Sequence, residues 1–297
     1  MSESKTYSGF VAIVGRPNVG KSTLLNQLLH QKVAITANKP QTTRHQIIGI
    51  ETKDNQQLIF VDTPGMHLGQ KKAINRYMNK TARAALVDVD CVLFVVEALK
   101  WTEEDALVAQ AIESVNAPIF VLVNKVDLLK DKTKLLPYLS ELQQRCPKAE
   151  IIPVSAEKNI QVDVLKDKLW KLLPEGVFYF PPEQVTDKSI EFQLAEIIRE
   201  KLIRFLGDEL PYAVSVQIEK MELKDKCQHI HGLIWIERET QKPIIIGTDG
   251  EKLKVIGQQA RLDMQKLLDQ KVFLALWVKV KENWADNLSS LQSLGYE

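Results

Sequence analysis

Three cysteines in 297 residues, Cys91, Cys146 and Cys227, are too few and too scattered for a disulfide framework, which points to a reducing compartment. No apolar run approaches the roughly 20 residues that span a bilayer, and Met1-Ser2-Glu3-Ser4-Lys5 lacks the basic-then-apolar layout of a secretory leader. The expectation is a soluble cytoplasmic protein, with peripheral membrane contact left open. An excess of charge of one sign is missing too, since 39 Lys and Arg stand against 38 Asp and Glu. Any surface for nucleic acid must therefore be local. What is present is 45% hydrophobic content, enough for a substantial core, over a length that suggests two domains.

The apolar, β-branched run Phe10-Val11-Ala12-Ile13-Val14 leads directly into Gly15-Arg16-Pro17-Asn18-Val19-Gly20-Lys21-Ser22. That satisfies G-x-x-x-x-G-K-[ST], the spacing of a phosphate-binding loop. Glycines let backbone N–H groups turn inward around phosphate oxygens, Lys21 supplies a point charge for the β- and γ-phosphates, and Ser22 offers a hydroxyl to Mg²⁺. A helical pattern follows from Ser22, so its positive end should face the anion.

Lys32 to His45 has no period and reads as a long loop beside this site, a candidate switch. Residues 46–51 and 57–61 read as a hairpin ending in Asp62-Thr63-Pro64-Gly65. Asp62, at the end of a buried strand, is placed to reach Mg²⁺ through water, and the Gly65 N–H to meet a γ-phosphate. The runs 91–96 and 118–123 are continuously apolar, as parallel strands covered on both faces should be, with helical patterns near 70–86 and 103–115 between them. This alternation predicts a doubly wound α/β sheet.

The second run ends in Asn124-Lys125-Val126-Asp127. An ionised Asp127 accepts both the N1–H and the exocyclic amine of guanine, which adenine cannot supply, so GTP is favoured over ATP. The stem of Lys125 can lie along base and ribose. After the strand at 150–154, small Ser155 and Ala156 would let a backbone N–H reach guanine O6.

Taken in order, these motifs resemble the Ras-like GTPases of the translation-factor class. The forms of the loop at 15–22, of Thr42-Thr43-Arg44-His45 and of Asp62 to Gly65 resemble its bacterial ribosome-associated branch. The resemblance implies that Thr43, or failing it Thr42, closes over Mg²⁺ and γ-phosphate. Catalytic candidates are then Lys21, Thr43, Gly65 and Asn18, and metal candidates Ser22, Thr43 and Asp62. Met66 stands where Ras carries the glutamine that orients water, and a thioether cannot do that. Slow intrinsic turnover, on the order of 10⁻³ s⁻¹, is expected. By the same resemblance, the Asn18 amide holds a K⁺ beside the phosphates.

Residues 160–173 read as the closing helix of a first domain, 7–176. Prolines at 174, 181 and 182 mark a short stiff linker, 177–188. In 189–297 the order reads α, β, β, α, α, β, with strands from Tyr212 to Ile218, from Ile230 to Ile236 and over 272–280. Gly247-Thr248-Asp249-Gly250 is a GXXG loop, which in a KH module clamps about four single-stranded nucleotides. With its flanks and element order it resembles an α+β type II KH domain, with Lys252, Lys254 and Arg261 as further RNA candidates. From residue 183 onward 16 basic residues face 19 acidic ones, yet 242–281 hold eight against four, a net +4. That segment is where RNA should bind. Asp249 and Glu251 sit beside the expected phosphates and weaken the attraction.

Cys227, His229 and His231 share a face at strand period, but three ligands on one strand seldom converge on zinc without a fourth. Trp235, Trp277 and Trp284 read as packing residues. The family resemblance implies a monomer that binds the 3′ region of small-subunit (16S) ribosomal RNA, assists 30S assembly and touches the membrane peripherally. The alternative is a GTPase whose KH-like domain docks a protein.

Overall fold

A computed structural model describes residues 5–37, 39, 41–68, 73–206, 214–282, 284–287 and 291. It divides into two compact units, the first running to Asp187 and the second from Lys188. Residues 37, 39, 41, 42, 73 and 74 cluster with the second unit. There Arg199 donates to the carbonyl of Thr42.

The first unit holds a six-stranded sheet in the order β2-β3-β1-β4-β5-β6. Its strands are β1 (Tyr7–Val14), β2 (Ile47–Lys53), β3 (Gln56–Asp62), β4 (Cys91–Glu97), β5 (Ile119–Asn124) and β6 (Glu150–Pro153). β2 runs antiparallel to β3 and every other pair is parallel. Among the described residues the α-helices between or after them are α1 (Lys21–Leu29), α2 (Ala73–Ala84), α3 (Glu103–Ile112), α4 (Leu135–Arg145) and α5 (Val162–Leu172). Both faces of the sheet are dry, which explains the unbroken apolar runs. Val11 and Ile13 pack with Leu24, Leu28 and Leu165 on one side; Ala12 and Val14 pack with Val108 and Leu142 on the other.

Helix α4 was not legible in the hydrophobic pattern. It follows a Lys- and Asp-rich stretch, carries Pro137 in its first turn and buries only Tyr138 and Leu142. The linker differs from a free spacer. Buried Gln57 accepts from the amides of Tyr179 and Phe180 and donates to the Phe180 carbonyl. The Ile50 amide donates to Val185, and Thr186 Oγ1 to Ile48. These bonds cover the outer edge of β2, so stiffness comes from attachment as well as from proline.

The second unit comprises α6 (Ile190–Phe205), β7 (Val214–Lys224), β8 (Cys227–Ile236), α7 (Lys242–Ile246), α8 (Glu251–Leu268) and β9 (Lys271–Val280). Ser189 caps α6, its Oγ accepting from the Phe192 amide. The sheet order is β7-β8-β9, antiparallel then parallel. Ile230, Ile234, Val272 and Ile256 form a core with Leu194 and Ile198 of α6 and Ala260 and Met264 of α8. The predicted start of β7 at Tyr212 lies outside the described residues. The hairpin of β7 and β8 extends beyond the apolar pattern to Lys224 and Cys227, where Lys220, Glu222 and Lys224 form ion pairs. Trp284 is fully buried as expected of a packing residue, but Trp277 is 45% exposed.

Candidate functional site

Lys21 opens α1 directly after Gly20, and its Nζ donates to the carbonyls of Gly15 and Arg16 at 3.0 and 2.9 Å. The ammonium thus curls back over its own loop. Burial lowers its pKa to about 8, against the opposing pull of Asp62. Arg16 turns the other way: its buried guanidinium donates to Asp105 at 3.0 Å and Glu97 at 2.9 Å, bracing the loop from α3 and β4. Asp105 is also the third residue after Thr102 in the capping box of α3, and that signature was readable in the sequence.

Three oxygens converge beside the loop. Ser22 Oγ lies 2.7 Å from Thr43 Oγ1 and donates to Asp62 Oδ2 at 2.7 Å. Thr42, by contrast, turns its hydroxyl to the carbonyl of Lys39. Of the two threonines, Thr43 is the one at the metal candidates. The second carboxylate oxygen of Asp62 is buried without a partner, and burial raises the carboxyl to about 6. Two hydroxyls and an unsatisfied carboxylate are hard oxygen donors of the kind Mg²⁺ takes.

Thr63 Oγ1 donates to the carbonyl of Ile13, tying the start of the switch to β1. Gly65 lies against the phosphate loop so closely that a Cβ would sit 2.5 Å from the Pro17 nitrogen. Met66 is 1% exposed and packs in the core under the sheet, which removes it from the reaction space. His67 follows, its amide and carbonyl both held by the Asn79 side chain at 2.9 Å. The ring is largely buried with no partner at Nε2, and burial followed by the charge of Lys21 depresses its pKa to about 4.

Asn124 and Asp127 divide the work at the base. The Asn124 amide is spent within the protein, on the Val19 carbonyl and the Ala156 N–H. Asp127 keeps one buried carboxylate oxygen unpartnered, as a guanine acceptor should. Lys125 takes a left-handed backbone, φ +66°, with its ammonium 3.4 Å from Glu97. Ser155 N–H donates to the Ile160 carbonyl and Ala156 N–H to the Asn124 side chain, so a guanine O6 at this position would share one of these donors. A cavity of about 720 Å³ between α2 and α3 is lined by none of the motif residues.

In the second unit Gly247 and Gly250 both take φ +78° and Asp249 takes +50°. At Gly247 a side chain would also strike the Cβ of Lys252 at 2.7 Å. The loop delivers its chain to α8, along which Lys254 in the first turn and Arg261 seven residues on stand exposed on one flank.

Residues 10–125 match the model described as 50S ribosome-binding GTPase, and residues 209–285 that of the KH domain. Fold and site define a Ras-like P-loop GTPase joined to a KH module. GTPase Era of Actinobacillus pleuropneumoniae serotype 5b is 54% identical over 99% of this chain and 97% of its own length. GTPase Era of Pseudomonas fluorescens Pf0-1 is also 54% identical, over 98% and 97%. The chain belongs to the GTPase Era family. Two solved structures share the whole fold. Era in complex with MgGDPNP and nucleotides 1506–1542 of 16S ribosomal RNA has a TM-score of 0.94 at 38% identity, covering 98% of this chain and 99% of that one. A single-residue variant of Aquifex aeolicus Era bound to GDP·AlF4⁻ has the same TM-score at 37% identity and the same coverage.

Proposed function

We propose that this GTPase uses the γ-phosphate of GTP to set its two switch segments and, through them, an RNA-binding KH domain, acting on the 3′ region of 16S ribosomal RNA during 30S assembly. The observation carrying the nucleotide half is the convergence of Ser22, Thr43 and Asp62 beside the phosphate loop, with an unpartnered Asp127 oxygen at the base position. Ser22 and Thr43 would hold Mg²⁺ directly and Asp62 through water. Bound there, the ion would offset the negative charge that develops on the phosphate oxygens. Lys21 and the loop amides bind and orient the triphosphate, and Asn18 holds K⁺ where other GTPases insert an arginine.

Transmission to the KH domain is supported by chain connectivity. Thr43 meets Ser22 in the first unit, while the adjacent Thr42 belongs with the second, its carbonyl held by Arg199. The RNA half is supported by the GXXG geometry and by the Era relative solved with 16S nucleotides. That fragment spans 37 nucleotides, counting 1506 to 1542 inclusively, against about four for a GXXG clamp. We place the protein in the cytoplasm as a monomer, with peripheral membrane contact. Filter binding of a 16S 3′-end RNA at two salt concentrations, with and without a GTP analogue, tests the reading. Nucleotide-dependent, salt-sensitive binding is expected; no binding in any state would leave the KH module as a protein-docking unit.

A further inference from the structure

Among the described residues, α6 and α8 pack against one face of the KH sheet. On its other face the register aligns Glu222, His229 and Phe273 in one row, Lys220, His231 and Ala275 in the next, and Gln217, Leu233 and Trp277 in a third, where Leu233 on the central strand is buried between its neighbours. Rings associate across these rows. His229 lies 5.0 Å from Phe273, and His231 stacks on Trp277 at 5.4 Å with only 8° between planes. Phe273 is 49% exposed and Trp277 45%. An exposed tryptophan already stacked on one side is a rigid platform that loses little side-chain entropy when a second ring lands on it.

The charge around the rings has one sign in excess. Lys220, Lys224, Lys279 and Lys281 border the face, against Glu219 and Glu222, a net +2. Glu222 is shared by Lys220 at 2.8 Å and Lys224 at 2.5 Å, and Glu219 pairs with Lys279 at 3.3 Å. Lys281 lies 5.8 Å over the Trp235 ring. Planar rings bordered by lysine suit stacked bases with their phosphates; a protein partner would call for a broader aliphatic patch.

We infer that the open face of β7-β8-β9 is a second RNA surface, on which bases of a single-stranded segment stack against Trp277 and Phe273 while Lys220, Lys224 and Lys279 meet the phosphates. This rests on the RNA-binding reading above and extends it away from the GXXG loop. It also gives His229 and His231 a role, as the rings that back Phe273 and Trp277.

The test uses the full chain loaded with a GTP analogue and two labelled RNAs, a four-nucleotide single strand and the 37-nucleotide 16S fragment. Trp277→Ala and Phe273→Ala alter half-exposed rings, and thermal melting verifies that each variant folds. Each is expected to weaken the long RNA by about 5- to 100-fold and leave the short one unchanged. Gly250→Asp at the GXXG loop should weaken both. Wild-type affinity for the long RNA in both ring variants overturns the sheet-face inference alone. Failure of the wild-type protein to bind either RNA overturns the RNA reading and this inference with it.

Discussion

The side chain of Asn124 lies 2.7 Å from the carbonyl of Val19, and its other end lies 3.0 Å from the amide of Ala156. One buried amide thus joins the phosphate loop to both base-recognition loops, so the triphosphate and purine ends of the site are built as one piece. Asn124→Ala would orphan a buried carbonyl and a buried N–H, at about 1–3 kcal/mol each. A lowered melting temperature and weakened binding of GTP and GDP alike are expected by calorimetry. A selective loss of GTP alone would contradict this role.

Asp127 has the opposite character, with a buried oxygen that nothing in the protein satisfies. Asp127→Asn replaces an acceptor by a donor facing the N1–H and amine of guanine. A fall of about 100-fold or more in GTP affinity is expected, from the loss of two charge-assisted bonds at about 1.5–3 kcal/mol each. Xanthosine triphosphate should bind the variant better than the wild type, as titration calorimetry would show.

What the sequence made legible follows from how local each signal was. Glycines and Lys21 at fixed spacing, and strands dry on both faces, are carried by consecutive residues. The roles of Arg16, Gln57 and Met66 are not, since each depends on partners far along the chain. Arg16 meets Asp105, Gln57 meets Phe180, and Met66 drops into the core beneath β4. Trp277 misled for a related reason: an exposed ring on an open sheet face has the same period as a buried one.

Asn18 sits in the phosphate loop with a left-handed backbone, φ +63°. If its amide oxygen holds a monovalent ion, GTP hydrolysis should run faster in K⁺ than in Na⁺, and Asn18→Ala should erase the difference while leaving GDP binding near wild type. Phosphate release measured in the two salts decides it; equal wild-type rates count against the K⁺ role.

His67 predicts an acid-side stability loss of definite sign. Its pKa is depressed from 6.5 to about 4, chiefly by burial. The unfolded chain therefore binds this proton more readily, and stability present above pH 6.5 is lost as pH falls through 4. The ceiling is about 3 kcal/mol, less where water reaches the ring. His67→Gln should flatten the stability profile between pH 6.5 and 4 relative to wild type, in denaturant titrations without nucleotide. Parallel profiles would show that the ring is not held neutral by its burial.

Gln57 offers a way to release the linker without touching either functional site. It is fully buried, and its side chain makes three bonds to the backbone at Tyr179 and Phe180. Gln57→Ala removes all three and uncovers the chain beside β2, where residues 177–187 otherwise lie bonded along the sheet edge. Limited proteolysis should then cut within this segment at least about ten times faster, since each lost bond contributes about 1 kcal/mol to holding it closed. Affinity for GTP should hold, because no bond to the phosphate loop changes. Unaltered cleavage would mean that the remaining bonds, among them those of Ser8, Ile48, Ile50 and Thr186, secure the linker.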